Sequence, residues 1–88
     1  MGSAPEEGPT KSYELRQLRI GEKSPLSGIT IRTSGIRERF DSMVVGIEHA
    51  GQRVINPKSD LQLYQGDTLW IVGEKRNLDS LTVELFKT

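Results

Sequence analysis

The sequence predicts a small α+β domain: a mostly antiparallel sheet in the order strand, helix, three short strands, helix, with the helices on one face. Three observations carry this. At 88 residues the chain has room for a single hydrophobic core. Its later strand-like runs follow one another too closely for parallel crossovers, which need about ten to twelve residues each. A leucine stripe at helical spacing closes the chain, and strands mixed with few helices favour an antiparallel sheet covered on one face.

Residues 1–12 hold two Pro, two Gly and two Glu and no large apolar side chain after Met1, too little to offset the entropy of ordering. They read as a flexible leader, and Met1-Gly2-Ser3-Ala4 resembles a cloning scar. The folded domain is 13–88. Its first strand is Tyr13 to Ile20, with Tyr13 and Leu15 on one face and Leu18 and Ile20 on the other, a phase change that implies either a bulge or cover on both faces. Gly21 to Gly28 reads as a loop anchored by Leu26, with Pro25 turning Ser24 away from helical geometry.

Thr30 is a permitted N-cap for a short helix through Phe40, in which Ile36 and Phe40 face inward. Gly35 costs about 1 kcal/mol relative to Ala there and marks where the helix breaks or begins. Met43 to Glu48 and Arg53 to Ile55 form a β-hairpin about Ala50-Gly51-Gln52, and Asn56-Pro57 ends it. Leu61 and Leu63 alternate with polar neighbours before Gln65-Gly66-Asp67 turns the chain into Thr68 to Val72, closed by Gly73. Asn77 then caps a helix carrying Leu78, Leu81 and Leu85, with Asp79 near its positive end.

Composition removes whole classes of function. Twelve basic side chains balance twelve acidic ones, so the field a nucleic-acid binder needs is missing and no nucleic acid is expected as partner. No apolar run approaches the roughly 18 residues of a membrane span, so the domain itself is not expected to insert. With no Cys and one His there is neither a disulfide framework nor a zinc site of the Cys/His kind; self-association or a ligand must supplement so small a core, and a homodimer is expected.

Neither GxGxxG nor a Walker sequence occurs. His49 sits at a hairpin turn with Glu48 on the opposite face of the strand, which suits an exposed turn residue better than a catalytic base. Glu6, Glu7, Asp41, Asp60, Asp67, Asp79 and Glu84 follow no spacing that would pair carboxylates for acid/base work or hold a metal, so no catalytic residue, no metal and no enzyme are expected. Arg32, Arg37, Arg39 and Arg53 leave two readings open: solvated arginines paired with Glu38 and Asp41, or guanidinium forks meeting a ligand phosphate or a partner chain.

The run Ser24-Pro25-Leu26-Ser27-Gly28, then Ile36-Arg37-Glu38-Arg39-Phe40, Val44-Val45-Gly46-Ile47, Val54-Ile55-Asn56-Pro57 and Leu63-Tyr64-Gln65-Gly66-Asp67-Thr68-Leu69-Trp70-Ile71-Val72-Gly73 resembles the TrkA-C domain, the C-terminal half of RCK. The resemblance covers residues 13 to 86, and the turn with Gly-Asp before an apolar strand ending in Gly is its strongest piece. It departs from the family pattern at Arg32-Thr33-Ser34-Gly35. It implies a cytoplasmic regulatory domain of an inner-membrane potassium channel, potassium-uptake system or cation/proton antiporter, paired as a homodimer and attached to a membrane-embedded portion that does the transport. The companion Rossmann half is not in this chain, in keeping with the missing GxGxxG. The resemblance further implies a small ligand, such as the cyclic dinucleotide cyclic di-AMP, held in the cleft between paired domains by Ile36, Arg37, Arg39, Phe40, Asn56 and Pro57. The alternative it leaves is an assembly module that pairs subunits and binds nothing small.

Overall fold

The computed structural model of the protein describes residues 12–86, so all of the expected leader except Ser12 lies outside it. The elements are β1 (Tyr13–Arg19), α1 (Ile31–Ser34), β2 (Met43–His49), β3 (Gln52–Ile55), β4 (Thr68–Glu74) and α2 (Lys75–Leu81), the last continued by a π-helical turn over Thr82–Phe86. The four strands form one antiparallel sheet in the spatial order β1-β4-β2-β3. The α+β class and the strand, helix, three strands, helix order are those the sequence predicts.

The last strand in sequence lies inside the sheet because it is the most apolar. Leu69, Ile71 and Gly73 of β4 are buried on one face, while Thr68, Trp70, Val72 and Glu74 are half-buried on the other. Against it β1 pairs in unbroken register from Tyr13↔Glu74 to Arg19↔Thr68, so β1 has no bulge. Its apparent phase change is instead two-facedness. Leu18, and Ile20 just beyond the strand, point to the core, whereas Tyr13 and Leu15 stay 67% and 62% exposed on the opposite face. The bulge falls in β2, between Val44 and Gly46 opposite β4, and lets Val44 and Ile47 both reach the core although they are three residues apart.

The hairpin turns on Ala50 (φ 50°) and Gly51 (φ 81°), two consecutive left-handed residues that match the right-handed twist of the strands, so β3 begins at Gln52, one residue before the expected Arg53. The helix expected from Thr30 to Phe40 is shorter. Thr30 caps it as expected, its Oγ1 accepting from the Thr33 N–H at 3.1 Å, but Gly35 takes φ 80° as a left-handed C-cap after four residues. Residues 36–40 follow as turns that still bury Ile36 and Phe40. Leu61 and Leu63 do alternate: the Leu63 N–H donates to the Ile29 carbonyl at 2.7 Å, Leu63 is fully buried and Leu61 packs at the margin of the core.

Because β4 runs straight into α2, the final helix starts at Lys75, and Asn77, the expected cap, lies inside its first turn. Leu78 and Leu81 are fully buried, and the wider π-helical turn brings the adjacent Leu85 and Phe86 both into the core. The Ser24 hydroxyl donates to the Leu85 carbonyl at 2.5 Å, tying the loop after β1 to the end of this helix. On the surface Arg16 of β1 donates to Asp79 of α2 at 2.8 Å, and Lys75 donates to the same carboxylate at 2.9 Å. These bonds, Lys75 first and Arg16 second, hold the Asp79 carboxyl below the usual aspartate range.

Candidate functional site

The loop after α1 sorts its residues by side. Ile36 and Phe40, four apart, are buried, while Arg37, Glu38 and Arg39 face outward. The Ser42 N–H donates to the Ile36 carbonyl at 3.1 Å, and Asp41 reverses the chain with φ 50° so that β2 can begin at Met43. At the end of β3, Asn56 also takes a positive φ (55°) and donates its N–H to the Val45 carbonyl at 2.8 Å, which turns Pro57 back over the start of β2. Between these two turns lies a depression of about 410 Å³.

Four of the six residues expected at a site, Ile36, Arg37, Asn56 and Pro57, line this depression, joined by Arg32 and Met43. The other two are elsewhere. Phe40 is 6% exposed and belongs to the core. Arg39 lies over the Phe40 ring, its guanidinium carbon 4.8 Å from the centroid, and pairs with Glu84 of the π-helical turn at 2.5 Å. A Cβ at residue 35 would meet the Arg39 stem, so Gly35, which ends α1, also leaves room for that side chain.

The electrostatics of the depression are uneven. Arg32 is held by the Ser59 hydroxyl, which accepts from its Nη2 at 2.7 Å. The Arg37 guanidinium has no hydrogen bond or ion pair among the described residues. Ile31, Ile36, Met43, Val44 and Pro57 supply apolar wall around it, and Glu38 is the acidic member of the lining. A cation left unpaired beside apolar surface can take up an anionic group carried by a flat or apolar body. Met43, Ser59 and the Arg32–Ser59 bond were not anticipated from the sequence; Ser59 lies 27 residues from Arg32 and no local pattern marks it.

His49 has a different setting from the solvated turn expected of it. Its Nδ1 donates to Asp67 Oδ1 at 2.6 Å, its ring lies 5.2 Å from that of Tyr64, and Asp67, 3% exposed, also accepts the Tyr64 N–H at 2.9 Å. The pair therefore fastens the β2–β3 hairpin to the turn before β4. The Ser42 hydroxyl stands just before the other end of β2 and donates to the Phe40 carbonyl at 2.9 Å. Strand geometry separates His49 from it by roughly 20 Å, so the two form no nucleophile–base pair. No group of three or more acidic, His or Cys residues that could hold a metal occurs among the described residues.

The family comparison decides the identity. The TrkA-C domain matches residues 15–85, well over half of the chain. The chain belongs to the TrkA-C family. This TrkA-C domain also has the fold of solved RCK C-terminal domains. It superposes with a TM-score of 0.73 on the RCK_C domain dimer of S. agalactiae BusR in complex with cyclic di-AMP, at 21% identity, covering 80% of this chain and 92% of that one. With the RCK C domain of the potassium transport protein KtrA, also in complex with cyclic di-AMP, the TM-score is 0.75 at 22% identity, over 83% of this chain and 84% of that one. With the GsuK channel it is 0.74 at 25% identity, over 86% of this chain but only 14% of the channel chain. BusR has also been solved in complex with its busAB-promotor DNA, where the TrkA-C match spans 38% of that chain. No curated protein matches this chain. No described helix is long and apolar enough to cross a membrane.

Proposed function

We propose that this TrkA-C domain is the cytosolic regulatory domain of a potassium transporter or cation/proton antiporter. Two copies pair, and a small anionic ligand of the cyclic-dinucleotide class, such as cyclic di-AMP, binds at the cleft between them to control transport by the attached membrane portion. The observation that carries this reading is Arg37: a guanidinium with no partner among the described residues, walled by Ile36, Met43 and Pro57, in a domain of this family. In this reading Arg37 meets a ligand phosphate, the apolar wall meets a base, Asn56 offers its amide, and Arg39 and Phe40 support the segment from behind. A ligand that favours one pairing geometry passes its binding energy to whatever the pair is attached to. The balanced charge of the domain gives no support to DNA as its own partner.

A thermal unfolding scan against cyclic di-AMP, ATP, AMP and NAD tests this. Ligand at 100 times its dissociation constant adds about 2.7 kcal/mol, which for a domain of this size raises the midpoint by roughly 10–20 °C. The expected result is such a rise with cyclic di-AMP and none with Arg37→Ala. No rise with any nucleotide would leave the second reading, a ligand-free assembly module, which the exposed apolar residues of the sheet favour.

A further inference from the structure

Arg32 lines the same depression as Arg37, but it is held there on other terms. Ser59 grips it at two points. The Ser59 carbonyl accepts the Arg32 N–H at 2.8 Å, and the Ser59 hydroxyl accepts from the guanidinium Nη2 at 2.7 Å. That hydroxyl is neutral. A guanidinium has five N–H donors and a full positive charge, so the bond fixes the direction of the fork while leaving most of its donors and all of its charge uncommitted. Among the described residues Arg32, like Arg37, makes no ion pair, and both are exposed.

The two cations stand against the single carboxylate of Glu38, so the lining is net positive on a chain whose formal net charge is zero. The backbone of α1 offers an anion nothing at this point. The Ile31 N–H donates to the Leu61 carbonyl, the Arg32 N–H to that of Ser59 and the Thr33 N–H to the Thr30 hydroxyl. An anion entering the depression must therefore be met by side chains.

We infer that Arg32 is a second anion-contact residue of this depression, aimed by Ser59, so that each copy of the domain offers two guanidinium forks to one phosphate group. The inference rests on the ligand reading proposed above and deepens it: the phosphate is gripped from two directions rather than by a single rim charge. Arg32 falls in the stretch where the sequence departs from the family pattern, so the family resemblance does not imply it. The two forks differ in kind. Arg32 is preset and loses less freedom on binding, whereas Arg37 is free to adjust to what Arg32 has placed. A phosphate has oxygens enough to accept paired N–H donors from both. Were Arg32 only a tie between α1 and the loop at 57–61, the backbone bonds of Ile31 and Arg32 would already make that tie and a neutral side chain would serve. The volume of about 410 Å³ falls within the roughly 300–1,000 Å³ of small-molecule sites, so a phosphate on the forks can carry a body that reaches Ile36, Met43 and Pro57.

Calorimetric titration of cyclic di-AMP and phosphorus NMR titration of inorganic pyrophosphate into the 88-residue chain test the inference with two probes, one of which carries no base. Arg32→Gln removes the charge at an exposed position and leaves the backbone bonds of α1 in place. An exposed charge contact is worth about threefold in affinity, hence about tenfold for a ligand that meets both copies. The expected result is a cyclic di-AMP affinity about tenfold lower for Arg32→Gln in about 50 mM salt, a difference that shrinks in about 500 mM salt, an intermediate loss for Arg32→Lys, and no change for Arg76→Gln on the exposed surface of α2. Ser59→Ala weakens binding about twofold in the wild-type chain and not at all in Arg32→Gln, which separates aiming of the fork from any contact of its own. Unchanged cyclic di-AMP affinity in Arg32→Gln at low salt, or an equal loss in Arg76→Gln, would overturn the inference and leave the ligand reading standing. A chain that ignores cyclic di-AMP but binds pyrophosphate, and binds it less well as Arg32→Gln, fails the ligand reading and keeps the anion contact. Pyrophosphate bound equally by both chains, or neither probe bound at all, overturns the anion contact as well.

Discussion

Strand β2 ends in two charged neighbourhoods built on opposite terms. At its C-terminal end His49 donates to Asp67, a carboxylate with almost no exposure that also accepts the Tyr64 N–H, so the buried carboxylate has its hydrogen-bond partners. At its N-terminal end the Arg37 guanidinium stands beside Met43 with no partner among the described residues. A buried carboxylate with its partners fixes a fold, because removing a partner leaves it unsatisfied. Unmatched charge at a rim does nothing for the fold and is available for something else. The two ends of one strand thus separate the groups that hold this domain together from the group that defines its candidate site.

Asp67→Ala should be the most damaging change at the matched end. It strands the Tyr64 N–H and frees the hairpin from the turn before β4, and a loss of about 3 kcal/mol in urea unfolding is expected, with His49→Ala costing less because His49 is half exposed. A loss under about 0.5 kcal/mol would make the pair ornamental and dissolve the comparison. At the other end close packing also holds the fold. A Cβ on Gly73 would clash with Ser42 Oγ, so Gly73→Ala should cost about 2 kcal/mol, and Ser42→Gly in the same chain should restore part of it. Absence of rescue would place the strain elsewhere.

The smallest effect concerns the link from β1 to α2. Asp79 is held below the usual aspartate range by Lys75 and then Arg16. A carboxyl lowered in the folded state contributes its stability above the unfolded value, near pH 4, and loses it as pH falls through the lower folded value. Asp79→Asn should therefore lower the thermal midpoint slightly at pH 6 and not at all at pH 2. Equal shifts at both would mean that charge is not what Asp79 contributes.

These differences follow what sequence makes visible. Thr30 and Gly35 act locally, so the start of α1 and the point at which it fails were both legible, as were the apolar run of β4 and the alternation of Leu61 and Leu63. The Asp67–His49 pair spans 18 residues and joins two turns, and the Arg32–Ser59 bond spans 27; neither has a local signature. Asn77 was misplaced as a cap because nothing local shows β4 passing directly into a helix. The candidate site was legible as a segment but not side by side. Ile36 and Arg37 share it with Asn56 and Pro57, whereas Arg39 turns to Glu84, in a segment that lies beyond the end of α1 at Ser34.

Isothermal titration of cyclic di-AMP into the wild-type domain and into Arg37→Ala tests the central claim most directly. The account predicts one ligand per two chains for the wild type, no measurable binding for Arg37→Ala, and unfolding free energies of the two free proteins within about 0.5 kcal/mol of each other. Binding that survives Arg37→Ala, or one ligand per single chain, would contradict it.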